Sequence, residues 1–364
     1  MKKILILLAF FSIIVFIQSC EKETSSDTTN SVVYDGSLYS LNIGDFPTPN
    51  LAEDNQLSQQ KVQLGRMLFY EQMLSKDATM SCASCHRQEH AFSDTARFSI
   101  GVHGLEGKRQ AMAVFNMAWN ENQFFWDGRA NLLRDQSLKP IQDSLEMAES
   151  LANVITKLSA SQVYIDQFQR AFSTGEINEL NISLALEQFM NSITSVDSKF
   201  DLFLKGEAAL SPSEERGRLL FFSEYNPFFP NTSGADCAHC HGGSNFENNN
   251  YMNNGLQAAG NFTDIGREEV TGMPTDRGKM KVTSLRNIEL TAPYMHDGRF
   301  SSLEEVIDHY NSGLKNSNSL DPALANTLST GLFLNGQDKA DIVAFLKTLT
   351  DNVLLTKEEY SNPF

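Results

Sequence analysis

The sequence predicts a mainly α protein built from two similar halves, and three observations carry that prediction. The motif Cys-x-x-Cys-His occurs twice, as Cys82-Ala83-Ser84-Cys85-His86 and as Cys237-Ala238-His239-Cys240-His241. A helical stretch precedes each copy at a similar distance: Leu64-Gly65-Arg66-Met67-Leu68-Phe69-Tyr70 before the first, Arg216-Gly217-Arg218-Leu219-Leu220-Phe221-Phe222 before the second. Little else alternates apolar and polar residues as a half-buried strand does.

The elements follow in order. Lys2 and Lys3 precede an apolar run from Ile4 to Ile17 and then Gln18-Ser19-Cys20. That is the layout of an export signal, too short for a membrane span of about 20 residues. Ile17-Gln18-Ser19-Cys20 resembles a lipobox, which predicts cleavage after residue 19 and a lipid anchor at Cys20. The stretch 20–50 opens polar and reads as a tether. Ser58 and Ser211 are placed as N-caps of the repeated helix. Ile182 to Leu204 reads as one helix, with Leu184, Phe189, Ile193, Phe200 and Phe203 as its apolar residues. Gly206 and Pro212 mark a boundary, giving halves 51–206 and 207–364. Asn248 to Asn261 is Asn- and Gly-rich loop. Ala340 to Leu349 is a closing helix with Ile342, Phe345, Leu346 and Leu349 on one face.

Composition suits packed cores: 41% of residues are hydrophobic and 20% charged. The formal net charge of -16 argues against nucleic acid as a partner and suits a basic or dipolar protein partner.

The repeated motif is the attachment signature of c-type haem. Its two thiols add to the haem vinyl groups, and the adjacent histidine becomes the proximal ligand of the iron. The two copies take four of the five cysteines. Disulfides or zinc are the alternatives, but zinc wants four ligands gathered at one point. The expectation is therefore two cytochrome c-like domains with two covalent haem c groups, on Cys82, Cys85 and His86 and on Cys237, Cys240 and His241. Attachment of c-type haem outside the bacterial cytoplasm agrees with an exported chain on the periplasmic side of a membrane.

Between and after the motifs lie Phe125-Trp126-Asp127-Gly128-Arg129, Gln136, Pro140, Glu146-Met147, Ser284-Leu285-Arg286-Asn287 and Thr291-Ala292-Pro293-Tyr294-Met295-His296-Asp297-Gly298. Over roughly positions 50 to 350 this pattern resembles the bacterial dihaem cytochrome c peroxidases and the related methylamine-utilisation dihaem oxidases. The resemblance implies a peroxidatic first haem, with Gln136 and Glu146 as its distal pair and Pro140 beside them. The chemistry agrees. Peroxide cleavage needs a proton moved from one oxygen to the other, which a sheltered carboxyl does. Gln136 holds peroxide by hydrogen bonds but moves no proton. Trp126 matches the tryptophan between the two haems, an electron relay that also packs as core. Asp127 and Arg129 are expected as an internal ion pair or a haem-propionate contact.

The same resemblance implies a histidine that caps the first iron at rest. His103 is offset by one residue from that pattern, which leaves it either as the cap or in solvent beside an open site. For the second haem the distal register falls on Tyr310, where the peroxidases place methionine and the tryptophan-oxidising relatives tyrosine. His309 and Met295 are the nearby substitutes. A phenolate favours ferric iron and lowers the potential. The family's calcium implies oxygen ligands from Thr291, Pro293 and, in place of the usual Asn, Gln110. The family often forms homodimers.

Three functions are expected in this order. The first is a peroxidase that reduces hydrogen peroxide with electrons from a small cytochrome c or cupredoxin. The second is an oxidase that modifies tryptophans of a partner protein. The third is a non-enzymatic electron carrier.

Overall fold

The structure, a computed structural model, describes residues 32–364. The expected signal at 1–19, the anchor at Cys20 and the start of the tether lie outside the described residues.

Helices dominate. In order they are α1 (Gln59–Tyr70), α2 (Leu133–Ser137), α3 (Lys139–Gln142), α4 (Leu151–Ser159), α5 (Gln162–Ala171), α6 (Glu179–Ser192) and α7 (Lys199–Leu204). There follow α8 (Pro212–Phe222), α9 (Glu268–Thr271), α10 (Leu303–Asp308), α11 (Pro322–Ala325) and α12 (Gly336–Lys347). The β structure is one short antiparallel ribbon, β1 (Tyr251–Met252) with β2 (Met280–Lys281), paired Tyr251 to Lys281 and Met252 to Met280.

The repeated helix does the same work twice. α1 crosses α6, and α8 crosses α12. Each crossing is set by the glycine of the repeat. A Cβ on Gly65 would collide with the carbonyl of Ala185, and one on Gly217 with the carbonyl of Asp341. Only glycine lets the two backbones approach so closely. The caps differ, however. Ser211 makes a full capping box with Glu214, whereas the Ser58 hydroxyl has no partner and its backbone N–H donates to Gln188.

Two hydrophobic cores grow around these crossings. Leu64, Leu68, Phe69, Ile182, Ala185 and Phe189 centre the first. Phe221, Phe246, Ile342, Phe345 and Leu349 centre the second. Each fully buried Leu or Phe contributes about 1.5–3 kcal/mol. Edge-on aromatic contacts add to the second core, with Phe200 and Phe345 5.3 Å apart between ring centroids.

The single helix expected over Ile182 to Leu204 is two helices. Residues 193–198 leave the helix because distant groups take their backbone hydrogen bonds. Asn116 accepts from Ser195 N, Asp351 accepts from Val196 N and Asp197 N, and Ser198 caps α7. Residues 205–211 form the connection between α7 and α8, and Phe200 of α7 already packs in the second core. The C-terminal tail returns to the first core, where Leu354 and Tyr360 are buried and Arg66 donates to the carbonyls of Glu358 and Ser361. The closing helix starts earlier than expected, capped by Asn335. The 248–261 loop carries β1.

Candidate active site

A single cavity of about 1400 Å³ is lined by both Cys-x-x-Cys-His motifs. All four thiols are free, so the disulfide alternative falls away. Burial pushes Cys82 and Cys237 up to about 12, which keeps them as thiols. Each motif opens with a single 3₁₀ turn, Cys82–Ser84 and Cys237–His239, that brings its two sulfurs to the cavity.

The two histidines are oriented alike. Nδ1 of His86 bonds the carbonyl of Phe92 at 3.1 Å, and Nδ1 of His241 bonds those of Phe246 and Thr283 at 3.2 and 3.1 Å. Phe92 and Phe246 both have positive φ, which turns their carbonyls toward the imidazoles. Nδ1 is thereby the donor, and Nε2 is left as a lone-pair donor to a metal. Burial also lowers both imidazole pKa values and favours the neutral, ligating form. Thiols, neutral imidazoles and a largely apolar cavity fit a haem c at each motif.

On the first haem's side, Gln136, Pro140 and Glu146 line the cavity with Cys82, Cys85 and His86. Gln136 comes from α2 and Pro140 from the first turn of α3. Glu146 follows in the turn after α3. Burial raises its carboxyl to about 7, Asp143 adds to this, and Arg129 opposes it. A neighbouring loop fixes it from behind, Val102 N donating to the Glu146 carbonyl at 2.9 Å. Gly101 permits that contact, since a Cβ there would strike the carbonyls of Leu145 and Glu146.

His103 does not join this group. It is exposed at the tip of the tight turn Gly101–Gly104, close enough to Asp77 for its charge to be felt there. The turn that presses Val102 onto Glu146 carries His103 outward, so it is not placed as a cap on the first cradle.

Trp126 lines the cavity that both motifs share. Its Nε1–H donates to the Gln110 carbonyl at 2.8 Å, and its ring meets His296 edge-on at 6.4 Å. Asp127 is buried and salt-bridged to Arg109 and Arg129; Arg109 also holds Asp264 at 2.7 Å. A second repeat, missed in the sequence reading, explains this arrangement. Phe125-Trp126-Asp127-Gly128-Arg129 and Met295-His296-Asp297-Gly298-Arg299 are equivalent turns, with positive φ at Phe125, Gly128, Met295 and Gly298. Each is closed by an antiparallel bridge, Phe124 to Ala130 and Tyr294 to Phe300. The shared Asp-Gly-Arg was the available signal.

At the second motif, α10 runs into a π-helical turn, His309–Gly313. The wider turn rotates Tyr310 into the cavity. Asn254 donates to its hydroxyl at 3.4 Å and to the sulfur of Met295 at 3.3 Å. Burial raises the Tyr310 pKa to about 12. His309 is turned away, with Nε2 2.9 Å from the Asn254 carbonyl. Gln110, Thr291 and Pro293 also line the cavity. The Gln110 amide donates to Ser93 and to the Asp94 carbonyl. Among the described residues no group of three or more His, Cys, Asp or Glu side chains is placed to hold a metal ion.

Fold and cavity fit a di-haem c-type protein. Residues 59–209 match the family described as di-haem cytochrome c peroxidase. The methylamine utilization protein MauG of Methylorubrum extorquens is 33% identical over 297 residues, 81% of this chain and 79% of that one. The cytochrome c551 peroxidase of Nitrosomonas europaea is 35% identical over 292 residues, 79% of each chain. A solved MauG-like protein associated with microbial copper homeostasis matches with a TM-score of 0.78 at 35% identity, over 89% of this chain and 99% of that one. The chain belongs to the di-haem cytochrome c peroxidase family, which implies covalently bound haem c.

Proposed function

We propose that this protein reduces hydrogen peroxide to water at the first haem. Electrons enter from a small cytochrome c or cupredoxin at the second haem and pass through the region of Trp126. The observation that carries this reading is Glu146: a sheltered carboxyl with its pKa near 7 that lines the cavity with Gln136 and lies close enough to Cys82 and Cys85 for its charge to act on them.

When bound, haem supplies the electrons and the Lewis-acid iron. The chain supplies the rest. His86 and His241 would hold the irons through Nε2, which their Nδ1 hydrogen bonds leave free. Gln136 orients peroxide by hydrogen bonding. The Glu146 carboxylate takes the proton from the near peroxide oxygen and returns it to the far one, which leaves as water. A pKa near the working pH lets one group do both. Two electrons and two protons per peroxide balance the reaction to two waters.

The proposal includes two cytochrome c-like domains, 51–206 and 207–364, the first joined by the returning tail. It also includes export by residues 1–19 and anchoring through Cys20 on the periplasmic side of a membrane. A calcium ion would take oxygens of Gln110, Thr291 and Pro293, which all line the cavity and offer no carboxylate, as suits a hard cation held weakly. With His103 exposed on its turn, the reading takes the first site as open at rest.

The test is peroxide turnover with reduced cytochrome c, comparing fully oxidised protein with protein first reduced by one electron. Turnover in both states is expected. Turnover only after reduction would restore a histidine gate and return His103 to consideration. One observation favours a second reading, an oxidase acting on tryptophans of a partner protein: the Tyr310 hydroxyl turned into the second cradle. Absence of turnover in both states would favour that reading.

A further inference from the structure

The turn that follows β1 carries a side chain that the peroxide chemistry does not use. Asn254 is half-buried and lines the cavity. Two residues before it, the sulfur of Met252 lies 3.3 Å from that of Cys240, which places this turn at the second motif. The Asn254 amide donates to the Tyr310 hydroxyl at 3.4 Å and to the Met295 sulfur at 3.3 Å. Its backbone carbonyl accepts from Nε2 of His309 at 2.9 Å. One residue therefore touches all three side chains expected as sixth ligand of the second iron. His309 is spent on the backbone, while the oxygen and the sulfur share one amide.

The placement is stiff. The neighbouring Asn253 is buried, and its amide donates to the hydroxyls of Ser317 and Ser319 at 3.0 and 2.9 Å. Its side-chain oxygen accepts from Gly255 N at 2.9 Å, and the Gly255 carbonyl accepts from Lys315 N at 2.8 Å. Moving Asn254 away from the π-helical turn would break these bonds.

We propose that Asn254 is a positioning residue for the second haem: its amide holds the Tyr310 oxygen as the sixth ligand and, by donating a hydrogen bond to that oxygen, weakens the ligand enough for the haem to accept an electron.

The chemistry follows from the contacts. A phenolate is a hard anionic donor and by itself would hold the iron ferric. A haem that receives electrons must give part of that stabilisation back. An N–H dipole aimed at the coordinating oxygen does so. It draws charge off the ligand and favours the state that carries one more negative charge, the reduced one. Hydrogen bonds to axial ligands are one of the means by which a protein sets a haem potential. An amide has two N–H groups, so Asn254 can serve oxygen and sulfur together. The Met295 sulfur is thereby engaged as an acceptor while the oxygen ligates. The electron is the one that the redox donor supplies, and no bond within the chain is made or broken.

This inference rests on electron entry at the second haem and on Tyr310 as its ligand. The Tyr310→Phe spectrum tests that ligand separately; an unaltered spectrum ends that reading, and this inference with it. Once the spectrum has changed, the experiment is spectroscopic redox titration of both haems in the loaded protein, for wild type, Asn254→Ala and Asn254→Leu, each with Tyr310 and with Tyr310→Phe. With Tyr310 present, the second potential falls in both Asn254 variants. The equilibrium constant for its reduction drops about tenfold, the size of one hydrogen bond to a charged group. The first potential stays where it was, and the Asn254 effect vanishes in the Tyr310→Phe background. An unchanged second potential overturns the inference. So does a rise, which sulfur ligation by Met295 would give. An equal fall in the Tyr310→Phe background also overturns it, because the residue would then act through the turn as a whole. If Asn254→Leu fails to load haem, the smaller Asn254→Ala decides.

Discussion

Replacing Glu146 by glutamine keeps the shape of the side chain and removes its proton. At pH 7 a carboxyl at the ordinary 4.5 is protonated in roughly 0.3% of molecules, and one at about 7 in roughly half. The pocket therefore enlarges the acid population roughly 150-fold while leaving half of the groups as carboxylate to accept the first proton. Glutamine abolishes both roles. Turnover should fall by about a hundredfold or more, the usual size of a lost general acid–base. The pH profile should change too. The first step needs carboxylate, so wild-type turnover falls as pH drops below about 7, and that acid limb should vanish in the variant. The assay is stopped-flow peroxide consumption with reduced cytochrome c, at equal covalent haem content. A variant that keeps turnover within threefold, or keeps the acid limb, would refute the assignment of Glu146.

Tyr310→Phe removes the oxygen that faces the second cradle; the low-spin haem spectrum should change, and an unaltered spectrum would exclude Tyr310 as a ligand. Arg286→Leu strips a buried aspartate of its partner, since Arg286 holds both oxygens of Asp201 at 2.7 and 2.8 Å. Thermal or denaturant unfolding should show a loss of about 3–5 kcal/mol. The same pair fixes a sign for pH. Burial works against the Asp201 charge, but Arg286 outweighs it and holds the pKa below 3.8. The stabilisation is therefore present above pH 3.8 and lost as pH falls through the lower folded value, and the variant should lack this acid-side loss. Gly217→Ala forces α8 away from the carbonyl of Asp341. It should cost about 1–3 kcal/mol by overpacking, measured by the same unfolding curves; a neutral result would mean that the crossing is not tight.

The sequence was most legible where chemistry demands neighbours in the chain. Cys82, Cys85 and His86 must be adjacent to grip one haem, so the motif announces itself, and so does its second copy. The helix carrying Gly65 and Gly217 was legible as a repeat, although its reason, two backbones in contact, was not. The break at residues 193–198 was hidden because its cause lies in Asn116 and Asp351, far along the chain. The outward turn of His103 depends on Val102 meeting the carbonyl of Glu146, a contact that no local pattern encodes. Tyr310 was placed by its register within the family resemblance, but the π-helical turn that carries it was not legible. Nothing in the local sequence marks Lys281, and only the fold shows it buried.

The two glycine crossings have a wider consequence. α1 meets α6 and α8 meets α12, so the segment from 59 to 192 and the segment from 212 to 347 each begin and end at nearly the same place. A unit of that kind can be copied end to end with a connector as short as Lys205 to Ser211, and no strand of chain has to pass through another. Each copy arrives with its own thiols, its own imidazole and its own closure. Divergence then needs to alter only what each copy shows to the shared interior: a carboxyl and an amide in one, a phenol in the other. The tail that runs back to Tyr360 is the asymmetric addition that fastens the copies into one body.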